Sequence, residues 1–252
     1  MRLLRIRPIG ALCIAVVCTG CLALGGPGLA EAAGKRHTPH ARPRPVPPPP
    51  APHTLAYRVI HMRGSLGVGA HGSAVRLLQD QLARRRYEVP VNGVFDEATG
   101  RAVLAFRKIV GLQRVETANA GVFQLLRGGA GYYSVRYPRD GNHIEANLTK
   151  QVLVEVQHGR VRRIYTMSSG KPSTPTVLGR FQVYMKTPGT NSEGMVDSNY
   201  FIRGYAIHGY AEVPVYAASH GCLRIPIPNA PEVYAWVQVG YGVDVYTEGG
   251  VF

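Results

Sequence analysis

The segment Ser219-His220-Gly221-Cys222-Leu223-Arg224-Ile225 contains the only cysteine of the chain beyond residue 21. Only a few per cent of a free thiol is thiolate near pH 7, so a nucleophilic cysteine needs a neighbouring base or cation. His220 lies two residues before the sulfur, and His208 ends an apolar run upstream. Gly221 permits a sharp turn, so that the N–H groups of Gly221 and Cys222 can converge on one carbonyl oxygen. The segment therefore predicts a cysteine nucleophile with an oxyanion site.

Other interpretations of these residues stay open at the level of sequence. A buried cysteine is commonly a small hydrophobic side chain, and His208 can be a hydrogen-bonded core histidine. His220 can act as a base, as a substrate contact or as a structural hydrogen-bonding group. By spacing alone His208, His220 and Cys222 could also bind zinc. No carboxylate-bearing metal motif accompanies them, and we expect neither a metal nor an organic cofactor.

Two short motifs carry a resemblance to a known family. Ile207-His208-Gly209, followed by residues 219–224, is similar to the L,D-transpeptidase catalytic domain, or YkuD domain, of bacterial cell-wall enzymes. The likeness continues through residues 228–234 and 239–245. It implies that Cys222 is the acylated nucleophile, that His208 is the general base, and that the Gly209 carbonyl orients the imidazole. It also implies that His220 and Arg224 shape the pocket and its charge.

Beyond Tyr132 the hydrophobic pattern acquires a period of two, which is typical of strands. The alternation runs through residues 144–148, 152–156 and 181–185, and residues 230–237 form one convincing helix. We therefore predict a mainly β, mostly antiparallel catalytic domain over residues 132–252. By the resemblance it is a YkuD-like β-sandwich with a short helix.

The segment 187–205 is long for a connection between strands and is rich in aromatic residues. Long loops of this kind are often lids, and the YkuD resemblance implies a mobile aromatic flap over the nucleophile. Tyr200 and Tyr205 are therefore expected to contact substrate, with ordinary packing as the alternative. The complete set of predicted oxyanion and substrate-binding residues is Ser219, His220, Gly221, Arg224, Tyr200 and Tyr205.

Residues 64–128 show helical periodicity instead. Ser73, Asp96 and Asn119 are expected to cap three helices, the last of which ends at Gly128. The runs 72–79, 91–99 and 102–106 resemble the three-helix peptidoglycan-binding domain. The alternative is an interaction or spacer module without glycan affinity. The chain is thus predicted to place a small three-helix domain before the catalytic domain.

The N-terminus has the layout of a secretory signal over residues 1–33, with a basic start, an apolar run and an Ala-rich exit. Cleavage would remove Cys13, Cys18 and Cys21 together, which leaves one thiol and no internal disulfide. Two alternatives are a lipid on Cys21, because residues 18–21 resemble a lipoprotein box, and an uncleaved membrane anchor. Residues 34–63 are basic and Pro-rich, as in an extended linker.

The net charge of +14 suits an exported protein that approaches an anionic wall polymer. No nucleic-acid motif is present, so a nucleic-acid partner is not expected. By the resemblance, the predicted function is a peptidoglycan L,D-transpeptidase at the cell wall or the extracytoplasmic face of the membrane. It would form three-to-three cross-links from a tetrapeptide donor, with stem peptides and glycan strands as its partners. The alternatives are an L,D-carboxypeptidase, an enzyme that anchors wall proteins, and a non-catalytic wall-binding protein. A papain-like protease is disfavoured because it places its Cys before its His.

Overall fold

The computed structural model describes residues 58–59 and 62–250. Its N-terminal part holds three helices, α1 (Ser73–Arg84), α2 (Glu97–Val110) and α3 (Ala120–Arg127), with a short antiparallel pair of strands, β1 (Ser65–Leu66) and β2 (Ala118–Asn119). Residues 58 and 59 are helical too, so this part contains more helical structure than the three predicted helices. The predicted signal, its three cysteines and all but a few residues of the linker lie outside the described residues.

Side-chain caps fix two of these helices as the sequence predicts. Asp96 accepts a hydrogen bond from the Thr99 N–H at the start of α2, and Asn119 accepts one from the Val122 N–H at the start of α3. The predicted cap at Ser73 is wrong. Gly72 is the residue before α1, with φ at 108°, and no side chain caps that helix. The backbone freedom of Gly72 lets the helix begin one residue earlier than expected.

The C-terminal part consists of two sheets. The strands are β3 (His143–Asn147), β4 (Val152–Gln157), β5 (Arg160–Thr166), β6 (Gly179–Gln182), β7 (Met185–Thr190), β8 (Val196–Ile202), β9 (Tyr205–Tyr210), β10 (Leu223–Pro226) and β11 (Gly242–Tyr246). The five-stranded sheet has the order β5-β4-β3-β11-β6, and the four-stranded sheet has the order β10-β9-β8-β7. A 3-10 turn (Ile227–Asn229) leads into a short helix, α4 (Ala230–Trp236).

The mainly β architecture with one short helix is as predicted, and most of the strand pairs are antiparallel. Two pairs are parallel, β3 with β11 and β9 with β10. Apolar side chains from both sheets, including Ile144, Leu153, Ile207 and Leu223, form one buried cluster between them. The alternation of the strands therefore buries one face of each sheet against the other, as in a β-sandwich.

The predicted long loop at 187–205 is wrong. These residues form β7, β8 and the start of β9, and the turn that joins β7 to β8 covers only residues 191–195. Asn191 holds this turn, because its side-chain oxygen accepts hydrogen bonds from the N–H groups of Glu193 (3.0 Å) and Met195 (2.9 Å). Thr187, Pro188 and Gly189 interrupt the apolar alternation, which hides the strand in the sequence.

The helices and the five-stranded sheet share a second hydrophobic cluster. Val152, Val154 and Val156 of β4, together with Ile164 of β5, pack with the buried side chains of α1, α2 and α3. Lys108 of α2 is also buried, and its ammonium donates to the Gln151 and Met167 carbonyls (both 3.0 Å) and to Thr166 Oγ1 (2.6 Å). Burial lowers the pKa of Lys108 to about 7. The helical part is therefore packed onto the catalytic part.

Beside this cluster, the same face of the sheet carries a buried polar group that we call the His143 network. It consists of His143, Glu145 and Asp244. His143 Nε2 lies 3.4 Å from Glu145 Oε1 and 3.8 Å from Asp244 Oδ2. Glu145 also accepts hydrogen bonds from the backbone N–H groups of Arg136 and Tyr137, both at 2.8 Å. The network therefore fastens the segment that joins the helical part to the sheets.

Candidate active site

The parallel pairing of β9 and β10 brings the predicted site residues together. In its register His208 lies opposite Arg224, and Ile207 lies opposite Leu223. Because side chains alternate along a strand, His208 and Arg224 point away from the inter-sheet core that Ile207 and Leu223 enter. Cys222, two residues before Arg224, opens onto the same face. His208, Cys222 and Arg224 line a cavity of about 270 Å³. The other lining residues are Glu193, Met195, Tyr210, Ser219 and His220.

His208 is a buried, oriented imidazole. Its Nδ1 lies 2.9 Å from the Gly209 carbonyl oxygen, which is the contact that the family resemblance implies. A carbonyl only accepts, so Nδ1 carries the proton and Nε2 keeps its lone pair. Burial lowers the pKa of His208 below its ordinary value, and the charge of Arg224 lowers it further, against a smaller opposite effect of the Gly209 hydrogen bond. The ring is therefore a neutral base at neutral pH.

Close packing against α4 requires glycine at position 209. A Cβ atom at this position would lie 2.7 Å from the Cβ of Ala230 in α4. Such a contact is far closer than van der Waals packing allows, so a side chain would push β9 away from α4. The absence of a side chain at Gly209 thus places the carbonyl that orients His208.

The Cys222 thiol is partly exposed and reaches the cavity. Burial raises the pKa of the thiol, a hydrogen bond with the Ala206 backbone and the charge of Arg224 lower it, and Glu193 raises it; the net shift is upward. The thiol points to the Gly204 carbonyl, with 3.9 Å between Sγ and the oxygen. Among the described residues, no hydrogen bond joins Sγ to the His208 ring. The resting state is therefore a neutral thiol beside a neutral imidazole.

The loop that carries the nucleophile is closed by its own hydrogen bonds. The Ser219 hydroxyl donates to the Cys222 carbonyl (2.6 Å) and accepts from the Gly221 N–H (3.0 Å). The prediction that the Gly221 N–H points at substrate differs from this geometry, because that group is already bonded within the loop. Gly221 instead supplies a φ of 124° and leaves room for Tyr205, whose ring would lie 2.6 Å from a Cβ atom at 221.

Residues 168–176 support this loop from outside. Thr176 Oγ1 donates to the Gly221 carbonyl at 2.8 Å, and Thr174 Oγ1 donates to the Ser219 carbonyl at 3.1 Å. Lys171 Nζ lies 3.3 Å from Nε2 of the exposed His220. These contacts give the segment a structural role in holding the loop.

The structure separates the two predicted tyrosines from the cavity. Tyr205 packs under Gly221, and Tyr200 on β8 lies beside Tyr184, with 6.4 Å between the ring centroids. Neither is among the residues that line the cavity. Their contact with substrate stays a prediction.

Sequence reasoning missed three lining residues, Tyr210, Glu193 and Met195. The Arg224 guanidinium carbon lies 4.0 Å from the Tyr210 ring centroid, and the His208 ring meets the same ring edge-on at 5.7 Å. Strand alternation could have found Tyr210, because it lies two residues after His208 on the same face. Glu193 enters the cavity from the 191–195 turn, and no periodic pattern marks a turn residue of this kind.

Within the described ranges, no cluster of three His, Cys, Asp or Glu side chains could hold a metal ion. In the same part of the chain, every helix is too short or too polar to cross a membrane.

Two family models match the chain. Residues 141–245 match the L,D-transpeptidase catalytic domain, and residues 71–117 match a peptidoglycan binding domain. A crystal structure of the L,D-transpeptidase from Xylanimonas cellulosilytica is 33% identical, with a TM-score of 0.67, and the alignment covers 73% of this chain and 98% of that one. The chain belongs to the L,D-transpeptidase family, and its two domain types make peptidoglycan the partner.

Two further solved structures share less with the chain. The L,D-transpeptidase from Stackebrandtia nassauensis is 18% identical, with a TM-score of 0.45 and coverage of 72% of this chain and 94% of that one. The L,D-transpeptidase from Mycobacterium smegmatis is 23% identical, with a TM-score of 0.37 and coverage of 42% and 58%. No curated protein matches the chain significantly.

Proposed function

We propose that this protein is an exported peptidoglycan L,D-transpeptidase that forms three-to-three cross-links through an acyl-enzyme on Cys222. The observation that carries the proposal is the shared cavity of Cys222 and His208, in which the Gly209 carbonyl leaves Nε2 of the imidazole as a free base. The proposed partition of the chain is a signal over residues 1–33, a linker over 34–63, a peptidoglycan-binding part over 64–128 and a catalytic part over 132–252.

In the first half of the reaction, His208 Nε2 takes the proton of the Cys222 thiol. The thiolate attacks the carbonyl that joins the third and fourth residues of a donor tetrapeptide stem, and a tetrahedral oxyanion forms. The oxyanion collapses, the bond to the terminal D-alanine nitrogen breaks, and that nitrogen takes the proton from His208. The products are a thioester on Cys222 and free D-alanine.

In the second half, the side-chain amine of a neighbouring stem attacks the thioester. His208 takes a proton from the attacking nitrogen, the carbon–sulfur bond breaks, and the thiol recovers its proton. The new amide is the cross-link, and the enzyme returns to its resting state without a cofactor. Attack by water instead of the amine would give an L,D-carboxypeptidase.

The remaining site residues have supporting roles in this proposal. Arg224 lies on the same face as Cys222 and offers a cation to the carboxylate of the stem, and His220 borders the entrance. The Cys222 N–H is the donor we assign to the oxyanion. Ser219 and Gly221 shape the loop around it, and Tyr200 and Tyr205 remain proposed substrate contacts.

The test is intact-mass analysis after incubation with a disaccharide tetrapeptide, with and without an amine acceptor. We expect an acyl adduct on Cys222, its conversion to a cross-linked product when the acceptor is present, and neither signal in Cys222→Ala. Hydrolysis without any cross-linked product would identify a carboxypeptidase. Binding to purified peptidoglycan with no adduct at all would identify a non-catalytic wall-binding protein.

A further inference from the structure

The thiol and its base lie on either side of one irregular segment of chain. His208 belongs to β9, and Cys222 comes one residue before β10, so the pairing of β9 with β10 does not include it. Residues 211–218, which we call the 211–218 segment, form no helix or strand. Because no hydrogen bond among the described residues joins Sγ to the imidazole, the path of this segment helps to set where the thiol lies relative to its base.

A guanidinium from the helical part holds the middle of this segment. Arg114 Nη1 donates to the Val215 carbonyl (2.8 Å), and Nη2 donates to the Thr149 carbonyl (2.9 Å). Thr149 lies in the turn between the antiparallel strands β3 and β4. An arginine suits this position, because its planar guanidinium presents several donors in a fixed geometry. One side chain therefore ties the 211–218 segment to the end of a hairpin of the five-stranded sheet.

Further contacts continue from this point to the loop that carries the nucleophile. Ser168 Oγ donates to the Tyr216 carbonyl at 2.6 Å. The N–H groups of Ala218 and Ser219 both donate to the Ser169 carbonyl, at 2.8 and 2.9 Å. The segment is thus anchored one residue after the guanidinium contact and again at its end. A shift at its middle would therefore be passed toward the nucleophile.

The helical part also holds the residues that supply these anchors. Lys108 donates to the Gln151 carbonyl (3.0 Å), and the Gln151 side chain is bonded to Ser169 through both Nε2 (2.7 Å) and Oε1 (2.9 Å). Lys108 and Arg114 both lie within residues 71–117, which match the peptidoglycan binding domain. That module therefore contacts the segment before the nucleophile and supports the residues that anchor it.

We propose that Arg114 is a positioning residue for the reaction, and that its hold on Val215 sets the distance between Cys222 and His208. Arg114 touches neither the substrate nor the reacting atoms. This inference rests on the proposed transpeptidase function, and it gives the helical part a task beyond attachment to the wall. Misplacement of a reacting group by about 1 Å can slow an enzyme by about 10²-fold. Loss of the guanidinium should therefore lower the rate of the chemical step.

The kinetic test compares Arg114→Met with wild type and with Arg136→Met. Arg136 is a matched control, because its guanidinium also donates to the carbonyl of a distant residue, Gly250 (3.2 Å), but not to the 211–218 segment. We expect the maximum rate of Cys222 acylation to fall about 10- to 100-fold in Arg114→Met, with little change in the half-saturating donor concentration. Arg136→Met should acylate as fast as wild type per folded molecule. Arg114→Lys keeps the charge but loses the planar fork, and its rate should lie between the two.

A double-mutant cycle separates positioning from a general loss of structure. If Arg114 acts by placing the thiol against the imidazole, its removal should matter little once the imidazole is gone. We therefore expect Arg114→Met to slow acylation by less than about threefold in a His208→Gln background. The same rate ratio with and without His208 would overturn the inference, and so would an Arg114→Met enzyme as fast as wild type.

Thiol labelling keeps this inference separate from the proposed function. Iodoacetamide labels Cys222 without any peptidoglycan substrate, and its rate at pH 7 responds to a base beside the thiol. We expect His208→Gln to slow labelling clearly in wild type and in Arg136→Met, and much less in Arg114→Met. That result supports the positioning role even if the tetrapeptide fails to acylate wild type, an outcome that would count against the proposed function alone. The same dependence on His208 in all three proteins overturns the inference.

Discussion

Two buried histidines of this chain differ in what surrounds them. His208 is 2% exposed and His143 is 0% exposed, so burial alone does not separate them. His208 meets a carbonyl and the positive charge of Arg224, and its pKa is lowered. Burial also acts to lower the pKa of His143, but Glu145, the Gly141 carbonyl and Asp244 outweigh it and raise the value. The neighbours therefore keep one ring a neutral base and raise the pKa of the other.

The largest expected effect distinguishes the two rings by activity. His208→Gln should slow acylation of Cys222 by about 10²–10⁴-fold, the usual contribution of a general base. His143→Gln should leave the acylation rate per folded molecule within about twofold. Single-turnover mass spectrometry with the tetrapeptide donor measures both. A His208→Gln enzyme as fast as wild type would remove the basis for the assigned base.

The two variants should rank in the reverse order by loss of folding stability, with His143→Gln the more destabilising. His143→Gln removes the imidazole that pairs with the buried carboxylate of Glu145, whereas Asp244 keeps its ion pair with Arg180 at 3.1 Å. Breaking a buried pair in this way costs about 3–5 kcal/mol. We expect the free energy of unfolding, measured in urea, to fall by about that amount. His208→Gln serves as the comparison and should cost clearly less, because no buried carboxylate pairs with the ring. Equal losses would mean that the His143 network is not an ionic one.

The contributions of His143 and His208 to folding stability should depend on pH with opposite signs. The pKa of His143 is raised in the folded state, so its stabilising contribution is complete below the unfolded value of about 6.5 and is lost as pH rises through the folded pKa. The pKa of His208 is lowered, so its contribution is complete above about 6.5 and is lost as pH falls toward the folded pKa. Urea unfolding of wild type and both Gln variants across pH 5–8 measures the two stability contributions separately. Identical pH profiles in all three proteins would contradict this assignment.

The smallest predicted effect concerns the charge beside the nucleophile. Glu193 raises the pKa of the Cys222 thiol, so Glu193→Gln should shift the midpoint of thiol alkylation slightly to lower pH. The pH dependence of iodoacetamide labelling measures this midpoint. Glu212→Gln, an exposed carboxylate that does not line the cavity, is the control and should leave the midpoint in place. An upward shift in Glu193→Gln would mean that the carboxylate acts in another way.

Much of the fold and part of the site could be predicted from local sequence patterns. Alternating apolar residues marked β3 and β4, and the side-chain caps at Asp96 and Asn119 follow from residue type alone. The contact between His208 and the Gly209 carbonyl was implied by two adjacent residues and a family resemblance. Each of these features depends on neighbours in sequence, so the sequence displays them.

What the sequence concealed depends on contacts between distant residues. The strand β7 was hidden because Pro188 and Gly189 break its alternation, while its hydrogen bonds come from β8. The Gly221 N–H could serve an oxyanion by sequence, but the Ser219 hydroxyl already binds it in the folded loop. Likewise, nothing local to Val152 or Val154 reveals that helices rather than solvent cover that face of the sheet.

The stripe formed by Val152, Val154, Val156 and Ile164 limits how this chain can be divided. Without α1, α2 and α3, a fragment of residues 132–252 would present these four side chains to water and would tend to aggregate. Removal of the helices would also remove the Lys108 ammonium, so its hydrogen-bond acceptors at Gln151, Thr166 and Met167 would lose their donor. Replacement of the helical part by an unrelated module therefore requires redesign of the sheet surface beneath it, because the helices cover one face of the five-stranded sheet.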